Sequence, residues 1–378
     1  MAKKISKTKI LICGILPPPN FGHSMIYKAL MESQFVGEFD VVFFNMKFWS
    51  YEKHKKVTIA KLFKFIQYYF QFVGLVITKQ PDYVLYAISF DKLPFLKDFV
   101  FCLTARILGR KVILHDMGQY LGELDQALSP SMQKLLRLML KQMSGSIVLG
   151  EVTRQVYQGF MDLNRVHAVP GAVADSIQLA PDVKHDSAGD RVTVLFFSFL
   201  QKSKGIWTAL QAMPLVVAQN PQVYFKFGGP AESEQFIAEM NDFIKKNHLE
   251  NHFEYAGYIG DEIKRTEFFR CSDIYIFPTL RDVFGLVLLH AMSERLPVIA
   301  SREGAVPEIV DDGQTGFLFP KGDHQALAEK ILQLAKDPIS RTQLGRAGRL
   351  KYEKMYTLDA YAERMIAVFK NFENRNKS

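Results

Sequence analysis

The residues best suited to chemistry in this chain sit in a polar turn between an apolar strand and a helix. In Phe277–Ser293, FPTLRDVFGLVLLHAMS, an apolar run stops at Pro278, a polar turn follows, and a helical pattern starts near Gly285. The first N–H groups of a helix have no partner inside it and the helix dipole is positive there, so such a turn suits a phosphate. Gly285 lets the backbone approach an anion closely. Asp282 stands just before the Phe284-Gly285 pair, and His290 lies further along the helix. Upstream, Phe197–Gly205, FSFLQKSKG, ends a strand with Lys204-Gly205 at a helix entry. A lysine there can reach a pyrophosphate as a point charge. Gly304–Asp323, GAVPEIVDDGQTGFLFPKGD, adds a turn with Pro307-Glu308, an Asp312-Gly313 turn and Gly316-Phe317-Leu318. In the first half His115 ends an apolar strand, a position that points into the ligand crevice of a parallel α/β sheet.

Each of these residues also has a plainer role. His115 can be a buried histidine satisfied by a backbone group, and Lys204 a surface lysine at a helix start. Asp282 can be an acid that suits the helix dipole, and Glu308 a cap. For His290, a core position and a ligand contact stand side by side.

The elements that must position these residues repeat twice. Lys9–Leu16, Asp40–Asn45, Tyr83–Ala87, Lys111–His115 and Ser146–Leu149 read as strands of one parallel sheet. Val192–Phe197, Val223–Phe227, Phe253–Tyr255, Ile274–Phe277 and Pro297–Ala300 read as strands of a second. All are apolar nearly throughout, as strands covered by helices on both faces are. Strand–helix alternation given twice means an α/β protein of two doubly wound domains. The polar stretch Leu179–Asp190, LAPDVKHDSAGD, divides them. The expected domains are 1–178, with a C-terminal helix at about 355–378 returning to it, and 179–354.

At 378 residues, 48% hydrophobic and 23% charged, the chain is globular and long enough for two cores. Its three cysteines are far apart, make no metal-ligand spacing and suit a reducing, cytoplasmic setting. Lys3–Pro19 has the basic start and short apolar run of a signal peptide. However, the run is only a strand's length and ends in Pro17-Pro18-Pro19-Asn20 with no small-residue cleavage site, so it reads as a first strand. No apolar run approaches the roughly 20 residues needed to span a bilayer. The net charge of +8 fits an anionic small substrate or an anionic membrane surface. No nucleic-acid motif is present. Lys53–Thr78, KHKKVTIAKLFKFIQYYFQFVGLVIT, joins lysines to a dense aromatic–aliphatic set. It reads either as a basic amphipathic helix peripheral to the inner face of a membrane or as an ordinary helix with a solvated basic face.

The run from Lys204-Gly205 through Phe227-Gly228-Gly229, Cys271–Pro278, Asp282–Met292 and Gly304–Gly316 resembles the retaining glycosyltransferases of family four, the glycosyl transferases group 1. The first domain is similar more loosely, through Pro17–Gly22, His115 and Val169–Val173. The resemblance implies a GT-B fold of two facing Rossmann-like domains. It implies a nucleoside-diphosphate (NDP) sugar donor, a glycan or lipid-linked acceptor, no cofactor and no catalytic metal. The lack of any Asp-x-Asp pair agrees with the last point. The implied reaction is transfer of a hexose with retention, in bacterial surface-polysaccharide biosynthesis.

By position, the resemblance implies that Lys204 neutralises the leaving pyrophosphate and that Asp282 holds hydroxyls of the donor sugar. The N–H groups of Phe284, Gly285 and Leu286 would bind sugar and phosphate oxygens. Gly22 would approach the donor from the first domain, and His115 would lie near the sugar. Asp282 and His290 replace the family's pair of glutamates, and Phe199 stands where an arginine is usual. A neutral imidazole offers one acceptor for ribose hydroxyls where a carboxylate offers several. These departures keep a second reading open: a catalytically impaired partner subunit. A nucleotide-sugar epimerase or a phosphorylase of the same fold ranks below both.

Overall fold

The computed structural model describes residues 7–18, 22–47, 59–89, 92–118, 121–175 and 191–375. The chain divides into two compact units, Met1–Gly171 with Leu358–Ser378, and Ala172–Thr357. The expected divider Leu179–Asp190 lies outside the described residues.

In the first unit six parallel strands form one sheet. They are β1 (Lys9–Gly14), β2 (Asp40–Asn45), β3 (Tyr83–Ile88), β4 (Lys111–Asp116), β5 (Gly145–Val148) and β6 (Val166–Ala168), ordered β2-β1-β3-β4-β5-β6. Leu11, Val84, Val112 and Leu114 are fully buried between covering helices, which is why these strands lack polar alternation. The helix Leu358–Asn374 belongs to this unit. Its Phe369 ring lies 5.5 Å from that of Phe35 and 5.7 Å from that of Tyr83.

The described part of the lysine-rich segment, from Ile59 on, belongs to the helix Ile59–Lys79. Phe72 and Val76 are buried in it, whereas Ile59, Leu62, Phe63, Ile66 and Phe70 are exposed. Those exposed positions follow each other at three- and four-residue steps, so they share one face. Lys53–Val57 lies outside the described residues. No helix among the described residues is long and apolar enough to cross a membrane.

The second unit repeats the plan with β7 (Val192–Phe197), β8 (Val223–Gly228), β9 (Phe253–Tyr255), β10 (Ile274–Phe277), β11 (Val298–Ser301) and β12 (Gly316–Phe319). All are parallel, in the order β12-β11-β10-β7-β8-β9. From β7 the chain moves outward to β8 and β9. It then returns to β10 and moves outward on the other side. The order therefore reverses between the neighbours β7 and β10, and a crevice opens at their carboxyl ends. Two edge strands were not expected: β6, and β12, which starts at Gly316 just after the Asp312-Gly313 turn.

Candidate functional site

Both loops that leave the reversal point carry expected site residues. After β7 the chain makes a single 3-10 turn, Lys202–Lys204, and enters the helix Ile206–Gln219 through Gly205. Gly205 has φ 72°, and a Cβ there would lie 1.7 Å from the Pro278 carbonyl oxygen, so only glycine lets this turn press against the end of β10. After β10, the segment 279–285 leads to the helix Leu286–Ser293.

One carbonyl holds the two loops together. The oxygen of Ser203 accepts the N–H of Leu280 at 2.9 Å, the N–H of Arg281 at 3.0 Å and the Thr279 hydroxyl at 3.3 Å. On the other side the buried Ser301 hydroxyl donates to the Thr279 carbonyl at 2.6 Å, and the Ala305 N–H donates to the Val283 carbonyl at 3.2 Å. This bracing brings Lys204 Nζ to 2.5 Å from Asp282 Oδ2, with both side chains partly buried. Two residues that the sequence separates by 78 positions thus form one charged pair at the mouth of the crevice.

The helix start is preorganised for an anion in part. Gly285, at φ 82° and ψ 60°, turns the chain into the helix, and a Cβ there would crowd the Phe277 ring at 3.0 Å. The N–H groups of Gly285 and Leu286 have no acceptor among the described residues. Phe284 differs: its N–H donates to Asp282 Oδ1 at 3.2 Å, so Asp282 itself occupies that donor. His290 follows one turn later, half-buried, with its ring 6.1 Å from that of Phe269. Enclosure by the protein, aided by the Arg265 guanidinium, pushes its pKa down to about 3, so the ring is neutral near pH 7. Beneath this helix the buried Arg270–Glu294 pair, at 2.9 Å, fixes its C-terminal end. Glu308 lies in the short helix Val306–Ile309, and its carbonyl accepts Lys351 Nζ at 3.0 Å.

In the first unit, Gly22 opens the helix Gly22–Met31. Tyr27 of that helix places its hydroxyl 3.1 Å from Nδ1 of His115, at the carboxyl end of β4. Nε2 of the buried His115 has no partner among the described residues, and burial, with His23 adding to it, pushes the pKa down to about 3. The next residue, Asp116, is also buried and shifts the other way. Burial pushes its pKa up to about 7, against hydrogen bonds from the Gly118 N–H and the Tyr157 hydroxyl, both at 2.9 Å. A neutral imidazole beside a carboxyl that titrates near neutrality makes a polar cluster at a strand end, where such sheets bind ligands.

Sequence reasoning missed Tyr27, Asp116, Ser203 and Ser301. Asp116 was the easiest to find, being adjacent to His115. Ser203 acts through its backbone, which leaves no side-chain signal.

Two doubly wound parallel units, the second with a cation and free helix-start N–H groups at its reversal point, define a protein of the GT-B fold. Anabaena HepE, in a structure with UDP and glucose, superposes at a TM-score of 0.71 and 15% identity over 96% of this chain and all of that one. Residues 181–351, most of the second unit, match the family model of the glycosyl transferases group 1. The capsular polysaccharide biosynthesis glycosyltransferase CapM of Staphylococcus aureus is 28% identical over 50% of this chain and 48% of its own length. The phosphatidyl-myo-inositol mannosyltransferase of Mycobacterium leprae is 24% identical over 63% of this chain and 62% of its own. The chain thus spans between about half and three-fifths of these curated relatives.

Proposed function

We propose that this glycosyltransferase moves a hexose from an NDP-sugar to a glycan or lipid-linked acceptor with retention at the anomeric carbon, in bacterial surface-polysaccharide biosynthesis. The observation that carries the reading is the Lys204–Asp282 pair beside the free N–H groups of Gly285 and Leu286. A cation and two fixed N–H dipoles suit a diphosphate whose charge grows as the sugar departs. Asp282 then holds hydroxyls of the donor sugar and His290 faces the ribose. Gly22 and His115 are the first unit's contribution to the donor. Catalysis rests on orientation and leaving-group stabilisation, with no protein nucleophile, cofactor or metal. The relatives named for capsule synthesis and for a phosphatidylinositol acceptor support the acceptor class.

The enzyme works peripherally on the cytoplasmic face of the membrane. The exposed apolar face of Ile59–Lys79, with Lys64 on the same helix, suits an anionic lipid surface. Flotation with anionic and neutral vesicles at two salt concentrations tests this. Salt-sensitive binding to the anionic vesicles supports it, and equal, negligible binding to both rejects it.

Incubating the protein with a panel of NDP-sugars and scoring slow donor hydrolysis tests the reaction. Hydrolysis of one donor supports it. Donor binding without hydrolysis, even with acceptors present, favours the second reading, a catalytically impaired partner subunit, which the neutral His290 in place of a carboxylate supports.

A further inference from the structure

The first unit carries a cavity of about 420 Å³ with no acidic side chain on its wall. Arg106, Lys111, Lys141, Arg165 and Arg375 line it, together with Ser144. These residues come from the end of the helix Lys92–Ile107, the first residue of β4, the end of the helix Pro130–Gln142, the turn before β6, and the last described residue. Lys111 begins β4 and His115 lies near its end, so the cavity opens at the amino edge of the sheet, away from the strand ends discussed above.

Five cations around one small cavity repel each other, and a fold tolerates this best where an anion neutralises them. Two of the five carry a further sign. The Nε–H of Arg106 and that of Arg165 are out of reach of solvent and have no acceptor among the described residues. With their Nε–H groups turned into the protein, both guanidinium ions keep their full charge beside the cavity, and an anionic oxygen is the partner a guanidinium takes best. The Lys111 ammonium lies over the Tyr83 ring at 5.5 Å, which holds it at the rim. The volume exceeds what a single phosphate fills.

We propose that this cavity binds a compact anion carrying two or more phosphoryl charges, separate from the donor site. Arg106, Lys111, Lys141, Arg165 and Arg375 supply charge, and Ser144 supplies a hydroxyl. The same phosphoryl chemistry can arrive as a soluble ligand or as the headgroup of an anionic lipid.

Inorganic triphosphate, titrated calorimetrically at fixed ionic strength, probes the site in the full chain. One cavity-bound equivalent is expected in the wild type. Arg106→Gln/Arg165→Gln should weaken it at least ten-fold, as should Lys141→Glu, an exposed change that spares the fold. Lys204→Ala should leave it in place. Melting curves confirm that each variant is folded. Equal affinity in wild type and Lys141→Glu overturns the proposal, as does loss of all binding in Lys204→Ala alone. Flotation with cardiolipin vesicles, whose headgroup carries two phosphoryl charges, separates the sources: vesicle binding that Lys141→Glu weakens assigns a lipid headgroup. Triphosphate binding with vesicle binding unchanged by Lys141→Glu assigns a soluble ligand.

Discussion

The Lys204 ammonium rests on the Asp282 carboxylate at 2.5 Å, across the point where the second sheet reverses its strand order. A diphosphate that recruits Lys204 must compete with that carboxylate, and the exchange frees Asp282 for a sugar hydroxyl. Lys204→Ala should therefore lower turnover about 100-fold or more, the usual cost of one lost donor to developing negative charge. Melting curves should show an intact fold. Turnover at the wild-type level in the folded variant would remove Lys204 from the mechanism.

Gly205 sets the position of that lysine. Alanine at φ 72° is strained, and its methyl would meet the Pro278 carbonyl at 1.7 Å. Gly205→Ala should cost more than about 1 kcal/mol of stability and also weaken donor binding, because the turn must withdraw from β10. Chemical denaturation and donor titration read the two effects. A variant as stable as the wild type would mean that the turn is free to move.

The neighbours His115 and Asp116 make a prediction about pH. The pKa of His115 falls to about 3 on folding and that of Asp116 rises to about 7. Between about pH 4 and pH 6.5 the unfolded pair holds its proton on the imidazole and the folded pair holds it on the carboxyl. The number of bound protons is then the same in both states, and the pair adds no slope to stability against pH. Asp116→Asn leaves His115 alone: stability should rise with pH in this window by about 1.4 kcal/mol per unit relative to wild type. His115→Gln leaves Asp116 alone, and stability should fall with rising pH by a similar amount. Urea unfolding from pH 4 to pH 7 measures both slopes. Slopes unchanged in both variants would mean that neither group changes its proton on folding.

His290 marks a departure from the family pattern. If its position faces the ribose, His290→Glu should tighten NDP-sugar binding about ten-fold or more, from roughly 1.5–3 kcal/mol for a charge-assisted hydrogen bond. Donor hydrolysis should rise with it. Calorimetric titration beside a melting curve decides the matter: unchanged affinity with a lower melting temperature makes His290 structural, since a poorly solvated carboxylate is costly.

Much of the architecture was legible in the sequence because buried parallel strands show as bare apolar runs. Asp40–Asn45, Val192–Phe197, Phe253–Tyr255 and Ile274–Phe277 have the expected bounds. β12 escaped notice because it starts with Gly316. A Cβ there would lie 2.4 Å from the Val298 carbonyl, so close packing against β11 demands the residue that marks a turn elsewhere. At the site, the residues on the two loops were legible, but not their direct pairing or the Ser203 carbonyl that makes it possible. The capture of the Phe284 N–H by Asp282 was hidden too, because short side chains bond to nearby backbone without changing any sequence pattern. The five cations of the first unit come from separate segments, and only folding collects them.

The placement of the helix Leu358–Asn374 in the first unit has a consequence for synthesis. Tyr361, Met365, Phe369 and Phe372 complete a core whose strands end with β6 at Ala168. Translation reaches these residues only after all of Ala172–Thr357 has been made. At about 5–20 residues per second, that leaves the nascent first unit without its closing helix for roughly ten seconds or more. During that interval the surfaces that will bury Phe369 and Phe372 are open to chaperones, and the second unit's chain is complete before the first unit's closing helix is made.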